Sequence, residues 1–299
     1  MLFLLLLIMS GAAATAQVHD VYYQGNLSPR NTTPTFDHGY LVVYDWDHRV
    51  DVFSPDGALM YSVAAQAPGS DWADIENGAV DEDGTLAAAV RPGRARSGGI
   101  ALFDRTGKQI GFFDTGEYLP TQVAFGPDHS IWTLGWLGGE TTASLTADYR
   151  VLRKYAQDGR QLGAFLPRAL FPHPEYLGRE PLIMPMLGLW ELRVVNERVE
   201  AVLHRPRLWV QTDLNGQEMG RWDIVPNGRP SAVTKDGRAW QKNGPQLQLF
   251  NRTTGVWHAV AFDAPEGTLL GAEGNSLVFL LRNQNRLRWI PAPRESPAP

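Results

Sequence analysis

Residues 79–90, AVDEDGTLAAAV, and residues 100–113, IALFDRTGKQIGFF, decide the fold of this 299-residue chain. Each stretch consists of an apolar run, a short polar turn that contains glycine, and a second apolar run. The DG and TG pairs supply the positive-φ residue that a tight hairpin turn needs. Two hairpins in succession therefore predict one four-stranded antiparallel sheet, whose strands we call A to D in chain order.

The second of these patterns recurs along the whole chain. Its turn glycines are Gly57, Gly107, Gly159, Gly216 and Gly255, and successive ones are 39 to 57 residues apart. That spacing brackets the roughly 40 to 50 residues of one β-propeller blade with loops of variable length. The repeat therefore predicts a propeller with strand A of each blade at the central channel and strand D outermost.

We assign five complete blades and a sixth that begins at residue 268 and has only three strands before the chain ends. Residues 18–24, VHDVYYQ, are strand-like and are available as its outer strand. The prediction is an all-β, six-bladed β-propeller with four-stranded antiparallel blades. An N-terminal strand completes the last blade and closes the ring, which removes an open sheet edge. The complete blades are assigned to residues 33–63, 75–114, 121–166, 183–224 and 230–262.

The paired hairpins of residues 79–113 are similar to the first and second hairpins of an NHL blade, and the chain resembles the six-bladed propellers with NHL-like repeats. The resemblance covers essentially all of the mature chain. It departs from that pattern at residues 192–203, LRVVNERVEAVL, where the fourth blade lacks the DG turn. The departure leaves the boundaries of blade four and the blade count open, with a β-sandwich or a seven-bladed ring as alternatives.

Both ends of the chain differ in composition from the repeats. Residues 1–16, MLFLLLLIMSGAAATA, predict a secretory signal peptide, because the apolar run is too short to span a bilayer and ends in small residues. A buried strand or a misassigned start is the alternative. Residues 17–291 then form a single propeller domain, and residues 292–299 a disordered Pro-rich tail. We expect a periplasmic or secreted protein with no membrane span after signal removal.

Composition excludes several classes of function. The net charge of −5 argues against a protein that binds nucleic acid over its whole surface, with a local basic patch as the alternative; we expect no nucleic-acid partner. The absence of cysteine excludes a thiol nucleophile and a cysteine metal site, and an exported chain without disulfides must be stabilised by its core.

The B–C loops carry a concentration of basic residues, and aromatic residues occur in the same loops and in the links between blades. In a propeller these segments share the face on which ligand sites usually lie. Guanidinium groups recognise carboxylates and phosphates, and exposed aromatic rings stack on sugars or anchor peptides. We therefore expect an unknown protein, a peptide, or an anionic small molecule or glycan as the partner; solvated loop charges and rings that cap the core are the alternatives. The candidate binding residues are Arg91, Arg94, Arg96, Arg205, Arg207, Lys242, Arg282, Trp46, Trp72, Tyr118 and Trp136.

The alternative function is a metal-dependent hydrolase of the lactonase or esterase type with its metal in the channel. The start of each strand A would supply the ligands, and Glu76, Asn77 and Glu191 are the candidates, beside Gln122, Ser231 and Thr268. Two carboxylates are few for a hard divalent cation. The chain also has no HExxH, GxSxG or P-loop motif. We therefore expect a non-catalytic binding protein without a cofactor, with a divalent cation as the alternative.

Overall fold

The computed structural model describes residues 18–24, 27, 34–44, 49–93, 97–137, 149–167, 190–204, 207–223 and 230–293. These residues form six four-stranded antiparallel sheets, as the repeat predicted. Within the described ranges, no helix combines the length and hydrophobicity needed to cross a bilayer. The predicted signal peptide, residues 1–16, and most of the predicted tail lie outside the described residues.

The N-terminal strand and the first three blades have the following bounds. The N-terminal strand is β1 (His19–Tyr22), and blade one contains β2 (Thr35–Asp37), β3 (Tyr40–Tyr44), β4 (Arg49–Phe53) and β5 (Leu59–Ala64). Blade two contains β6 (Ala73–Val80), β7 (Leu86–Pro92), β8 (Gly98–Phe103) and β9 (Gln109–Gly116). Blade three contains β10 (Tyr118–Phe125), β11 (Ile131–Leu137), β12 (Arg150–Tyr155) and β13 (Gln161–Pro167).

The last three blades follow the same order. Blade four contains β14 (Trp190–Val195), β15 (Arg198–His204), β16 (Arg207–Asp213) and β17 (Glu218–Asp223). Blade five contains β18 (Ala232–Val233), β19 (Ala239–Asn243), β20 (Gln246–Asn251) and β21 (Val256–Val260). Blade six contains β22 (Thr268–Glu273), β23 (Ser276–Leu281) and β24 (Arg286–Pro291), with a short 3₁₀ helix (Arg282–Gln284) before β24.

The N-terminal strand closes the ring as predicted. Strand β1 pairs antiparallel with β24, from His19 opposite Trp289 to Tyr22 opposite Arg286. Asp20 of β1 makes ion pairs with Arg286 at 2.6 Å and with Arg288 at 2.7 Å, both on β24. The inner strands β2 and β22 also contact each other, so blade six packs against blade one.

The core lies between the blades. Each of six clusters of buried apolar side chains is shared by two neighbouring blades. Trp132, Trp209 and Trp240 are fully buried in these clusters and pack neighbouring blades against each other. Both faces of each blade are covered by the neighbouring blades. The free edge of each inner strand can therefore border the channel while the side chains of the strand remain packed.

Aromatic side chains on two of the outer strands contact the C–D turn of the next blade. Phe113 of β9 lies against Gly159 in the C–D turn of blade three, and Phe165 of β13 lies against Gly216 in the C–D turn of blade four. A Cβ on Gly159 would come within 2.7 Å of Phe113, and both glycines have φ near +80°. Glycine is required there for the turn and for the aromatic contact. The DG and NG signals of the repeat therefore also mark contacts between blades.

Blade four forms without the DG turn that its neighbours have. Asn196 and Glu197 occupy the two turn positions between β14 and β15, with φ of 51° and 60°. Two consecutive residues with positive φ form a tight hairpin turn whose backbone twist matches the right-handed twist of the two strands. The Asn196 side chain also donates to the backbone oxygens of Thr234 and Lys235 in blade five. These two hydrogen bonds give a physical reason why a turn without glycine is stable at this site.

Candidate functional site

A central cavity of about 630 Å³ lies where the six inner strands meet. Every blade contributes to its wall, and the positions at which strand A was predicted to start all line it. We call the end at which strand A starts, on the side of the B–C loops, the mouth of the channel. The polar residues of the wall at and below the mouth are Thr35, Glu76, Asn77, Gln122, Glu191, Arg193, Ser231, Gln241, Lys242 and Thr268.

A β-bulge recurs in three of the inner strands. The register shifts between Ile75 and Asn77 in β6, between Pro120 and Gln122 in β10, and between Leu269 and Gly271 in β22. A bulge bends a strand and changes the direction of the side chains beside it. It is the local reason why Glu76 and Asn77, which are adjacent in sequence, both line the cavity.

Asn77 joins three blades. Its Nδ2 donates to Thr35 Oγ1 and to the Tyr44 hydroxyl, each at 3.2 Å, and its Oδ1 accepts from the backbone N of Val123 at 2.9 Å. The side chain is buried, so these hydrogen bonds satisfy groups that water does not reach. Asn77 is therefore a structural residue of the inner wall, and its amide oxygen is already used.

Arg91 is held at the mouth by two carboxylates. Its Nη2 lies 3.1 Å from Asp74 Oδ2 and 3.2 Å from Glu76 Oε1. Burial raises the pKa of Glu76, and the charge of Arg91 opposes that rise. The charge of Arg91, a predicted anion-binding residue, is thus balanced by neighbours in its own blade.

Glu191 is held in the same way in blade four. Its Oε2 accepts a hydrogen bond from Arg193 Nη2, and Arg193 Nη1 donates to the backbone oxygen of Pro230 at 2.8 Å. The predicted metal ligands Glu76, Asn77 and Glu191 therefore all have protein partners. Among the described residues, no three His, Cys, Asp or Glu side chains are grouped so that they could hold a metal ion.

Blade five is the part of the wall where polar groups are left without partners. Its inner strand β18 has only two residues, so Gln241 and Lys242 of β19 reach the cavity beyond it. Gln241 is 3% exposed, its Nε2 donates to Gln248 Oε1, and its Oε1 has no hydrogen-bond partner. The sequence placed Lys242 in the binding set but gave no signal for Gln241, because the shortness of β18 depends on tertiary structure.

The predicted loop face is only partly within the described residues. Trp72 directly precedes β6 and is 42% exposed, and Trp136, near the end of β11, is half-buried against the cluster between blades three and four. Arg207 begins β16, and Arg282 begins the 3₁₀ helix. Arg94, Arg96, Arg205 and Trp46 lie outside the described residues.

The interpretation of Tyr118 as a loop aromatic was wrong. Tyr118 begins β10, is 1% exposed, and its hydroxyl donates to the backbone oxygen of Val151 at 2.9 Å. Arg153 lies over its ring at 3.9 Å. The error came from starting blade three at residue 121, three residues after β10 begins. Tyr118 is a core residue and not a stacking surface for a ligand.

A buried polar group between blades four and five was not predicted. Glu200 is buried, and its Oε1 accepts from Gln211 Nε2 at 2.8 Å; Gln211 Oε1 in turn accepts from Arg252 at 3.0 Å. Arg252 lies over the rings of Trp209 and Trp222. Burial raises the pKa of Glu200. The alternation in RVEAVL, with Glu200 on the same face as Val202, is the sequence signal that could have identified it.

The opposite face of the ring holds a histidine–aspartate pair. His129 Nδ1 lies 2.7 Å from the buried Asp81, whose carboxylate raises the pKa of the imidazole. His129 has φ of 58° and occupies the turn position that Gly84 occupies in blade two. The pair joins the A–B turns of blades two and three beside a groove of about 420 Å³.

Comparison with known proteins supports the fold alone. No protein-family model matches the chain, and no curated protein matches it. Among solved structures 454 chains match. A chain in the crystal structure of the mitotic checkpoint complex aligns at 9% identity with a TM-score of 0.50, covering 92% of this chain and 93% of that one. The Dos1 propeller aligns at 9% identity with a TM-score of 0.43, covering 86% and 78%.

Proposed function

We propose that this protein is a non-catalytic binding propeller that takes a small polar ligand into the channel through its mouth. The observation that carries the proposal is the cavity of about 630 Å³, to which all six blades contribute polar groups. Its size is within the roughly 300 to 1,000 Å³ of typical ligand sites. Lys242 and Gln241 give its wall a charge and an acceptor that the described protein residues do not satisfy.

The basic and aromatic loops have a supporting role in this proposal. Trp72 is exposed at the start of blade two, where a ring can stack on a sugar or anchor a peptide. Arg91 contributes less than the sequence indicated, because Asp74 and Glu76 balance its charge. The proposed partner is an anionic small molecule or glycan, or a peptide that presents such a group.

Three further features belong to the same proposal. Export rests on the apolar run and small residues of the first 16 positions, which are typical of a signal peptide. The NHL-like repeat type rests on the hairpin pattern of residues 79–113. The absence of catalysis is supported by Glu76 and Glu191, because each of these channel carboxylates is already paired with an arginine.

Blocking the channel tests the proposal. Ser231 lines the cavity beside the short inner strand of blade five, so Ser231→Trp places an indole in the channel. A thermal-shift panel of sugars, sugar acids, amino acids and short peptides should contain a member that raises the Tm of the wild type. Binding at about 100 Kd stabilises by about 2.7 kcal/mol, or roughly 5 °C for a domain of this size. The Ser231→Trp variant should lose that shift.

The matched control is Ser62→Trp, which adds the same side chain at an exposed position of β5. It should keep the full shift. A panel without a single binder, or a binder whose shift survives in Ser231→Trp, would contradict the proposal.

A further inference from the structure

We propose that the channel recognises a small organic acid through blade five, with the carboxylate on Lys242 and a hydroxyl or amino group on Gln241. The inference rests on the proposed function, because it names the ligand class of the same channel. Three features of the channel support it: the two-residue inner strand of blade five, the unpaired ammonium of Lys242 among the described residues, and the buried Oε1 of Gln241.

The inner strand of blade five covers only part of the strand behind it. Strand β18 pairs with Ala239 and Trp240 of β19 and then ends. On the described part of the chain, the inner strands of the other blades have three to eight residues. Gln241 and Lys242 pair with β20 on their outer edge only. Their inner edge therefore borders the cavity, as does that of Val43 and Tyr44 beyond the three-residue inner strand of blade one.

Lys242 is the charge of the cavity wall without a partner. The described structure gives its ammonium neither an ion pair nor a hydrogen bond, although the side chain is half-buried. The other charged groups of the wall are satisfied by protein atoms. Asp37 pairs with His38, Glu76 with Arg91 and Glu191 with Arg193, while Glu273 accepts a hydrogen bond from Trp289 Nε1. A partly buried cation without a counter-ion favours the entry of an anion.

The backbone at Lys242 adds a donor for the same anion. The carbonyl of Trp240 faces inward and accepts from the backbone N of Ser231 at 2.8 Å. Because alternate residues of a strand direct their backbone groups to the same edge, the N–H of Lys242 also faces inward. An ammonium and a backbone N–H beside each other suit a carboxylate, which accepts hydrogen bonds at both oxygens.

Gln241 supplies the complementary acceptor. Gln241 is one of the residues that line the cavity, its Oε1 is buried without a donor among the described residues, and its Nε2 is occupied by Gln248. An unpaired buried acceptor costs about 1 to 3 kcal/mol, which a ligand donor can recover. Consecutive side chains of a strand point to opposite faces, so one ligand must cross the inner edge of β19 to reach both residues. This geometry selects an acid that carries a hydroxyl or amino group several atoms away from its carboxylate.

Isothermal titration with D-glucuronate and D-glucose tests the inference. The two sugars differ in a carboxylate, so the chain from Gln17 onward should bind D-glucuronate at least ten-fold more tightly. Lys242→Met should remove that difference, and Gln241→Leu should weaken the binding of both sugars. Lys235→Met, at an exposed turn on the opposite side of the same blade, is the matched control and should bind as the wild type does. Melting curves check that each variant is folded, and Lys242→Gln replaces Lys242→Met if the latter is unstable.

The possible failures are distinguishable. Equal binding of both sugars, or unchanged selectivity in Lys242→Met, would overturn the assignment of the carboxylate to Lys242. No binding of D-glucuronate would overturn the ligand class. In each of these cases channel binding is judged separately, by whether Ser231→Trp abolishes the thermal shift of another panel member.

Discussion

At the residue scale, the polar groups of the channel differ in what satisfies them. Asn77 and Arg193 use their hydrogen-bonding capacity to join neighbouring blades, and Arg91 pairs with two carboxylates of its own blade. Gln241 and Lys242 do not, because the strand that would cover them is missing. The proposed binding function therefore rests on Gln241 Oε1 and the Lys242 ammonium, which the described protein residues leave unpaired, rather than on the largest concentration of charge in the sequence.

His38 provides a pH-dependent contribution at the same scale. Its ring lies 3.2 Å from Asp37 and 3.1 Å from the backbone oxygen of Val80, and the hydrogen bond with Asp37 raises its pKa to about 9. Because the pKa of His38 is higher in the folded than in the unfolded protein, its protonated form stabilises the fold. This contribution is complete at a pH below about 6.5, the pKa in the unfolded chain, and is lost as the pH rises toward 9. Because the His38 side chain is 37% exposed, we expect about 1 kcal/mol.

The substitution that tests this is His38→Asn, since asparagine tolerates the positive φ of this turn. Urea unfolding should show the variant about 1 kcal/mol less stable than the wild type at pH 6, with the difference closing by pH 9.5. Asp37→Asn should remove most of the effect of His38→Asn at pH 6. A difference that stays constant across this range would contradict the assigned ion pair.

At the scale of strands and hairpins, local turn chemistry predicted most of the fold. The DG, TG and NG turns located the hairpins, and the strand-like residues 18–24 located the closing strand. Blade four was less clear, because the turn at Asn196 depends on hydrogen bonds to blade five. Tyr118 was misplaced because blade three was started at residue 121, although Gly116, with φ of 65°, marks a turn directly before β10. Gln241 was missed because nothing in the sequence shows that β18 is short.

The closing strand gives a prediction at this scale. Tyr23 follows β1, is buried in the cluster between blades six and one, and packs edge-on against Phe53 at 5.5 Å. Tyr23→Ala should destabilise the protein by about 3 kcal/mol, the usual cost of deleting a buried aromatic ring. Its hydroxyl has no hydrogen-bond partner among the described residues, so Tyr23→Phe should be neutral or slightly stabilising in the same urea titration. Equal stability of the Ala and Phe variants would show that β1 does not close the ring.

At the scale of the whole molecule, six buried clusters between neighbouring blades surround a polar channel. The described blades bury their apolar side chains against each other, so the channel wall does not need to be apolar for stability. Its polar residues are then available for binding. The sequence located the inner-strand positions of the wall, but the partners of those residues depend on how neighbouring blades are placed in three dimensions.

The central claim is that the ligand site is in the channel at blade five. A crystal of the chain from Gln17 onward, soaked in D-glucuronate, tests it most directly. We expect a sugar acid in the channel with a carboxylate oxygen about 3 Å from Lys242 Nζ and a hydroxyl donating to Gln241 Oε1. An ordered sugar acid on the outer strands or in the groove beside His129, with none in the channel, would contradict it.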